Sequence, residues 1–467
     1  MATGDITALL GRWRSGDREA ESMVDLLGNL INASSSVGAS PPTQAYQYDP
    51  LYRLTNVQNG SGTSLESFTY DLTGDRLSKT LSGTTSPYTY TAGTHRLASV
   101  ASQTRGYDAD GNENSGPVTF NGTPLYPATF TYDNRNRLTQ VTASGAIVTF
   151  NLNGRGERVF KNGPNGGKLF SYDEGGRLLG EYTTTGALGA QYVYVDSMPV
   201  AYITGGVLYY IETDQLGTPR QVILPGATTA NDAAVWKWGY FASNSAFGEN
   251  APSVQTITFN LRFPGQYFDA ETGLNYNYFR DYEPGTGRYV ESDPIGLRGG
   301  PSTYGYANQN SLRLDDPTGL FAIFGCDPAR MSALMDAENQ ICKKLDGDCG
   351  CGANTGCIPC KYKQDLLDRL NTSIVNCSKN EGTQYTPWLW PKGTCADSHA
   401  SNYDVLIYPV GFTHCGCLES VVLHELLHNV GLKNQDHAEI EFIDRRCFGC
   451  TWIHPEYGNF SPPSDGY

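Results

Sequence analysis

Across residues 46–290, Tyr, Thr and Val alternate with polar residues, and groups of Gly, Asn and Asp interrupt the alternation. This period of two predicts short β-strands joined by tight turns. One unit recurs: an aromatic residue, any residue, Tyr-Asp, a few turn residues, and Arg-Leu. Copies begin at Tyr46, Phe68, Phe130 and Phe170, with a degenerate copy at Tyr88. A single hairpin cannot bury its own apolar face, so we expect neighbouring units to stack, with the tyrosines as cross-strand packing residues.

Near the C-terminus the apolar period becomes that of a helix. Five of the apolar residues within 420–431 give the predicted helix one buried side, and Gly431 is placed to end it. His424 and His428 lie one turn apart on this helix, so both imidazoles can bind one metal ion. Glu425 is the expected general base for a metal-bound water. The pattern predicts a hydrolytic Zn²⁺ site; the alternative is a core helix that carries two histidines.

A catalytic zinc ion needs a third protein ligand and one open coordination position. We expect that ligand beyond Gly431. Asn434 occupies the position where an H-E-x-x-H-x-x-G-x-x-H arrangement would supply a third histidine. His437 is the favoured ligand, followed by Glu441 and then Glu439. The alternative for His437 is a solvated residue in the first turn of a helix.

Cysteine usage divides the chain. All 12 cysteines lie between Cys326 and Cys450, and six of the seven histidines lie in the same part of the sequence. We therefore expect a separate domain at 321–467, stabilised by disulfides in preference to a thiolate metal site. A helix to Leu345, a second helix at 361–376 and a strand at 403–409 predict a small α+β domain. A strand before an H-E-x-x-H helix resembles the zincin arrangement, in which a strand edge binds an extended substrate peptide.

Charge and hydropathy exclude some classes of function. The net charge of −15 argues against a nucleic-acid partner, which requires basic patches. No apolar run reaches the length of a transmembrane helix, and no signal-peptide core is present at the N-terminus. Residues 6–30 resemble the opening helices of extracytoplasmic-function sigma factors, so we expect residues 1–45 to form a helical tail and a linker.

The repeat units resemble the YD repeats of the Rhs family, which also occur in the C subunits of Tc toxins and in teneurins. Further motifs of that family follow in order at residues 209–220, 262–276, 278–289, 293–297 and 316–320. The resemblance implies that residues 46–320 form a mainly β spiral, or shell, around a C-terminal toxin. The expected fold is this β shell followed by the cysteine-rich α+β zincin-like domain.

The same resemblance implies self-cleavage within residues 259–320. In the family, an arginine and two acidic residues cut the chain after the second Asp-Pro-x-Gly-Leu motif. The motifs assign these roles to Arg280, Glu283 and Asp293, with the cut after Leu320; the family usually has Asp where this chain has Glu283. Two carboxyl groups in one desolvated pocket can act as an acid–base pair. The alternative is that the motif aspartates are turn residues only.

Together these motifs predict a polymorphic toxin that carries a zinc metallopeptidase effector. The implied partners are a protein or peptide substrate in a target cell, an immunity protein and a bacterial secretion system that delivers the toxin outside the producing cell. Two alternatives remain open. One is a surface or adhesion protein with a disulfide-rich binding tail, and the other is a zinc amidase that acts on the cell wall.

Overall fold

The computed structural model describes residues 20–24, 29–35, 43–120, 122–195, 197–226, 232–239 and 244–320, together with three short strands between residues 375 and 407. The chain divides into two compact units, Met1–Ala322 and Ile323–Tyr467. The division falls two residues beyond the position expected from the cysteine distribution. Among the described residues, no helix is long and apolar enough to span a membrane.

The repeat region of the first unit forms two antiparallel sheets in which strands adjacent in sequence are adjacent in space. The first sheet contains β1 (Ala20–Val24), β2 (Leu30–Ser35), β3 (Thr43–Tyr48), β4 (Leu54–Asn59), β5 (Ser64–Tyr70), β6 (Arg76–Leu81), β7 (Thr84–Tyr90), β8 (Leu97–Val100) and β9 (Gln103–Thr104). The second sheet contains β10 (Gly106–Tyr107), β11 (Glu113–Phe120), β12 (Thr123–Tyr132), β13 (Leu138–Ala143), β14 (Ala146–Leu152), β15 (Arg158–Asn162), β16 (Lys168–Tyr172), β17 (Leu178–Thr183), β18 (Leu188–Val195), β19 (Met198–Thr204), β20 (Val207–Thr213), β21 (Pro219–Leu224), β22 (Ala233–Lys237) and β23 (Val254–Gln255). The hairpins stack as the period-two pattern predicts.

The prediction of a helical tail at residues 1–45 is wrong for the part that the structure describes. Residues 20–24 and 30–35 are the paired strands β1 and β2, and β2 pairs in turn with β3. Leu30 and Ala33 are buried in one cluster with Tyr46 of the first repeat. Burial against a neighbouring hairpin outweighs the local helix propensity of this segment.

In three of the four complete repeats, the aspartate organises the turn in the same way. Oδ1 of Asp133 accepts hydrogen bonds from the N–H groups of Arg135 (2.8 Å) and Arg137 (3.1 Å), and Oδ2 pairs with the Arg137 guanidinium at 2.8 Å. Asp49 and Asp173 make the equivalent contacts in their own repeats. One carboxylate thus satisfies two turn amides and one arginine, which explains the four-residue Asp-to-Arg spacing of these three repeats. In the repeat that begins at Phe68, Asp71 accepts the N–H groups of Thr73 and Asp75 at 2.9 Å, and the arginine follows one position later.

The tyrosine before that aspartate joins its hairpin to a neighbouring strand. Its hydroxyl donates to a backbone carbonyl, as in Tyr48 to Leu30 (2.7 Å), Tyr70 to Leu54 (2.8 Å), Tyr132 to Glu113 (2.7 Å) and Tyr172 to Arg158 (2.9 Å). The aromatic residue two positions earlier, for example Phe68 or Phe130, is buried. These contacts agree with the packing role predicted for the repeat tyrosines.

A third sheet carries the predicted cleavage region. It consists of β24 (Tyr267–Phe268), β25 (Asn275–Asn277), β26 (Arg280–Glu283) and β27 (Arg288–Tyr289). Two 3₁₀ helices follow, at Gly296–Gly299 and Ala307–Gln309. Aromatic residues of this region, among them Phe259 and Tyr282, are buried in one cluster with Trp236 and Trp238. The cleavage region therefore packs on the apolar face of the repeats.

Three strands are described in the second unit. They are β28 (Val375–Cys377), β29 (Ala396–His399) and β30 (Asp404–Ile407), in the order β28-β30-β29. The strand predicted at 403–409 is confirmed as β30. β28 begins at Val375, so the helix predicted at 361–376 cannot extend to its predicted end. β30 pairs with β28 on one side and β29 on the other, so β30 itself cannot present the strand edge proposed for a substrate peptide.

Candidate self-cleavage site

The guanidinium of Arg280 lies between two carboxylates. Its Nη2 is 2.9 Å from Oδ2 of Asp293 and 3.4 Å from Oδ2 of Asp316. All three side chains are about 2 % exposed. The ring of Tyr289 lies against the guanidinium, with its centroid 3.7 Å from Cζ. Burial strengthens each of these interactions and makes the loss of any one partner costly, because an unpaired buried charge remains.

Asp316, the aspartate of the second Asp-Pro-x-Gly-Leu motif, binds the residue that precedes the predicted cut. Its Oδ1 accepts a hydrogen bond from the N–H of Leu320 at 2.9 Å, and its Oδ2 accepts one from the hydroxyl of Tyr289 at 2.8 Å. Burial raises the pKa of Asp316 above its ordinary value, and the charge of Arg280 and the bond from Tyr289 partly oppose that rise. Asp316 therefore acts as more than a turn residue.

The chain between Asp316 and Leu320 is fixed by backbone contacts. Nε of Arg280 donates to the carbonyl of Gly319, and the N–H of Phe279 donates to the carbonyl of Thr318 at 3.1 Å. Gly319 has a φ of +75°, and a side chain there would lie 2.6 Å from the carbonyl oxygen of Asn277. Only glycine fits both the torsion and the space. These contacts fix the backbone up to Leu320, the residue that precedes the predicted cut.

Asp293 lies near the carbonyl group of Leu320. Its Oδ1 accepts the N–H of Ile295 at 2.9 Å, which leaves Oδ2 on the side of Arg280. Oδ2 and the carbonyl oxygen of Leu320 both lie against the Cα of Gly299, where each would clash with any side chain. A carboxyl group beside a carbonyl oxygen is suited to general acid–base chemistry at that carbonyl. The structure thus brings together Arg280, Asp293 and Leu320 from the predicted set.

Glu283 lies elsewhere, so its predicted pairing with Asp293 is wrong. Oε1 of Glu283 is 2.5 Å from Nη2 of Arg105, and Oε2 accepts the hydroxyl of Thr286 at 2.6 Å. Glu283 and Arg280 are three residues apart on β26, and side chains at odd separations point to opposite faces of a strand. The second acidic residue beside Arg280 is Asp316.

A further acidic pair was not predicted. Asp281, next to Arg280, is buried, and its backbone N–H donates to Oε2 of the buried Glu291 at 2.7 Å. Burial raises the pKa of Asp281 to about 7, with Arg158 opposing the rise, and burial raises the pKa of Glu291 well above its ordinary value. Carboxyl groups with such perturbed pKa values concentrate at catalytic sites. The sequence offered one signal, the acidic residue directly after the motif arginine.

The predicted zinc site lies outside the described residues. This applies to His424, Glu425, His428, His437, Glu439 and Glu441, and to every cysteine except Cys377. Within the described ranges up to residue 320, no group of three or more His, Cys, Asp or Glu side chains has a metal-binding arrangement. The zinc assignment therefore stays a prediction from the sequence.

Comparison with known families and proteins identifies the repeat region. Residues 19–297 match the family model described as "Teneurin YD-shell". Over 358 residues the chain is 30 % identical to double-stranded DNA deaminase toxin A of Burkholderia cenocepacia. This alignment covers 70 % of this chain and 24 % of that protein. Over 363 residues it is 28 % identical to the probable deoxyribonuclease RhsB of Dickeya dadantii, with 69 % of this chain and 24 % of that protein covered.

Two more similarities were found. The chain is 27 % identical over 284 residues to the tRNA3(Ser)-specific nuclease WapA of Bacillus spizizenii, covering 58 % of this chain and 12 % of that protein. A Photorhabdus luminescens Tc holotoxin pore aligns with a TM-score of 0.49 at 18 % identity, covering 66 % of this chain and 17 % of that one. The chain thus spans no more than a quarter of the length of these relatives.

Proposed function

Because the chain belongs to the teneurin YD-shell family, we propose that it is an Rhs-type polymorphic toxin whose repeat core cuts the chain after Leu320. One observation carries the cleavage proposal: the Asp293 carboxyl and the Leu320 carbonyl meet at Gly299, beside the buried Arg280. The cut would separate the two compact units, whose division lies at Ala322–Ile323.

The proposed reaction is hydrolysis of the peptide bond between Leu320 and Phe321. A water molecule attacks the carbonyl carbon of Leu320, and one carboxylate accepts a proton from that water. A carboxylic acid donates a proton to the nitrogen of Phe321 as the C–N bond breaks. Asp293 is placed for the first exchange, since it faces the carbonyl. Asp316 is the candidate for the second, since it also pairs with Arg280 and accepts the N–H of Leu320, and burial raises its pKa above the ordinary value.

Variants of the full chain test this reaction. Wild-type protein should yield a fragment that begins at Phe321, as shown by intact-mass measurement and N-terminal sequencing. Asp293→Asn should slow cleavage at least about 100-fold, because it removes the acid–base group and keeps its size. Asp110→Asn, at an exposed turn, is the matched control and should cleave normally. Wild-type protein that keeps its full mass after days at neutral pH would refute self-cleavage.

We further propose that the second unit is a zinc metallopeptidase. The H-E-x-x-H motif supports this: His424 and His428 would bind the ion, His437, Glu441 or Glu439 would complete the ligands, and Glu425 would act as the base. A bound zinc ion would polarise the substrate carbonyl. In this role the protein would act on a protein or peptide substrate in a target cell. A secretion system would deliver it, and an immunity protein would protect its producer.

A nucleic-acid substrate is the rival for the second unit. It is favoured by the names of the relatives, which state activities on DNA or tRNA. Against it, residues 321–467 contain 18 acidic and 11 basic residues, a balance unsuited to a phosphate backbone. In addition, the alignments with these three relatives cover at most 70 % of this chain, so part of the chain has no counterpart in them.

Metal content and substrate use separate these functions. The full chain should contain about one zinc ion by the three-ligand rule, and His424→Ala should lose it. Glu425→Gln should keep zinc and lose casein hydrolysis, because it removes the base without removing a ligand. Degradation of plasmid DNA or tRNA by both wild type and Glu425→Gln, without casein hydrolysis, would favour the rival.

A further inference from the structure

Gly299 occupies a position where the reacting groups leave no space for a side chain. It is the last residue of the 3₁₀ helix Gly296–Gly299, which follows Asp293. A side-chain carbon on Gly299 would lie 2.9 Å from Cγ of Asp293, closer still to its Oδ2, and 2.6 Å from the carbonyl oxygen of Leu320. Non-bonded carbon atoms pack at about 3.5–4.0 Å, so only hydrogen fits here.

The backbone does not require glycine at this position. The φ of Gly299 lies outside the left-handed region, whereas Gly296 has a φ of +65° and Gly300 a φ of +134°. An L-residue can adopt the torsion of Gly299 without strain. At Gly296 the torsion requires glycine but the space does not, since a side chain there would have nothing within 4 Å. The requirement for glycine at 299 therefore comes from the approach of the Asp293 carboxyl and the Leu320 carbonyl.

We infer that Gly299 is a positioning residue for self-cleavage, because its missing side chain lets the Asp293 carboxyl reach the Leu320 carbonyl. This inference rests on the proposed self-cleavage. A methyl group at this point would separate the two groups. The surrounding turn can give way, since Gly299 is only half-buried and Leu297 is 56 % exposed. An added side chain should thus displace the reacting groups and leave the core folded.

The experiment compares Gly299→Ala with Gly285→Ala in the full chain. Gly285 is the matched control, because its φ also lies outside the left-handed region and a side chain there meets nothing within 4 Å. Gly299→Ala should slow cleavage about 100-fold, the cost of a misplacement of about 1 Å in a reacting group. Gly285→Ala should cleave within about twofold of wild type, as expected for a substitution without contacts.

Two measurements distinguish positioning from general damage. The pH dependence of the cleavage rate should shift in Gly299→Ala, since the environment of the Asp293 carboxyl changes. The unfolding midpoint, measured in the uncleaved Asp293→Asn background, should stay within a few degrees, as for a modest surface change.

Each remaining outcome decides the matter. Gly299→Ala that cleaves at the wild-type rate would overturn the inference while self-cleavage stands. A slower rate with an unchanged pH profile, or loss of the fold, would make Gly299 a structural residue and overturn it as well. Failure of wild type and Gly285→Ala alike to cleave would refute the proposed self-cleavage itself.

Discussion

Glu283 illustrates how a residue near the cleavage site can serve the core instead. Its partner Arg105 also pairs with Glu113, whose Oε2 lies 3.2 Å from Nε of Arg105. Burial raises the pKa of Glu113 to about 8, with Arg105 opposing the rise. Arg105 and Glu113 are both about 3 % exposed or less, and Glu283 is 15 % exposed. Glu283 therefore helps to neutralise an arginine that is buried among the repeats.

We predict that Glu283→Gln reduces stability more than it affects cleavage. The variant leaves Arg105 with Glu113 as its remaining acidic partner and should lower the free energy of unfolding by about 1–3 kcal/mol, as for a charged hydrogen bond lost in a buried site. Its cleavage rate should remain within about threefold of wild type, as for a residue outside the reacting groups. Denaturant unfolding and intact-mass time courses measure the two effects. Loss of cleavage comparable to that of Asp293→Asn would instead return Glu283 to the site.

At the scale of elements, the aspartate turn is the feature that defines each hairpin. Four hydrogen bonds converge on Asp133, two from backbone amides of the turn and two from the Arg137 guanidinium. The attraction of Arg137 and these amides outweighs the effect of partial burial and lowers the pKa of Asp133. The carboxylate thus stabilises the turn as a hydrogen-bond acceptor and as a charge.

We predict a graded loss of stability at this turn. Asp133→Ala should lower the free energy of unfolding by about 1–2 kcal/mol, because two hydrogen bonds from backbone amides and one ion pair are lost. Asp133→Asn should cost roughly half as much, since the amide oxygen can still accept both backbone bonds. Urea unfolding of the two variants provides the comparison. Equal losses in both would show that the charge, rather than the acceptor, stabilises the turn.

The elements also show how far the sequence could be interpreted. The alternation of apolar and polar residues predicted the hairpins, because each strand pairs with its neighbour in sequence. The helix predicted before Leu30 failed, since burial of Leu30 and Ala33 depends on a strand that comes later in the chain. Arg280, Asp293 and Leu320 follow from their motifs, but the position of Glu283 depends on β26 being extended from Arg280 to Glu283, which the motif spacing does not show. Gly299 and the Asp281–Glu291 pair depend on contacts that spacing cannot show.

At the scale of the whole molecule, the first unit contains several buried carboxyl groups. Burial raises the pKa of Glu113 to about 8 and that of Glu249 to about 7, with Arg105 and Lys79 respectively opposing the rise. In Asp269 burial acts in the same direction, but Arg158 and Lys161 outweigh it and lower the pKa. The raised groups bind protons more tightly in the folded state than in the unfolded state, where carboxyl pKa values are about 4.

We predict that the first unit is more stable at pH 5.5 than at pH 8.5. Stability from a raised pKa is complete below the unfolded value of about 4 and is lost as the pH rises through the folded value, here about 7–8. Asp269, with a lowered pKa, acts oppositely but only below about pH 4. Unfolding midpoints of uncleaved Asp293→Asn protein across this range test the sign.

Glu113→Gln should flatten this pH dependence, because the amide resembles the protonated acid at every pH. Asp110→Asn, at an exposed position, should leave the slope unchanged. A midpoint that increases from pH 5.5 to pH 8.5 would contradict the predicted direction.

The long-range contacts of the cleavage region determine the order in which the chain folds and is cleaved. The repeat hairpins close between neighbours, so they can form one after another as the polypeptide leaves the ribosome. The cleavage region instead bonds to partners that are distant in sequence: Asn310 to Asn29 (2.9 Å), Arg158 to Asp269 (2.5 Å) and Tyr304 to Gly111 (2.5 Å). It can be assembled only after the hairpins on which it rests. Cleavage after Leu320 would then depend on complete folding of the first unit, since the site is assembled only in chains whose hairpins have already formed.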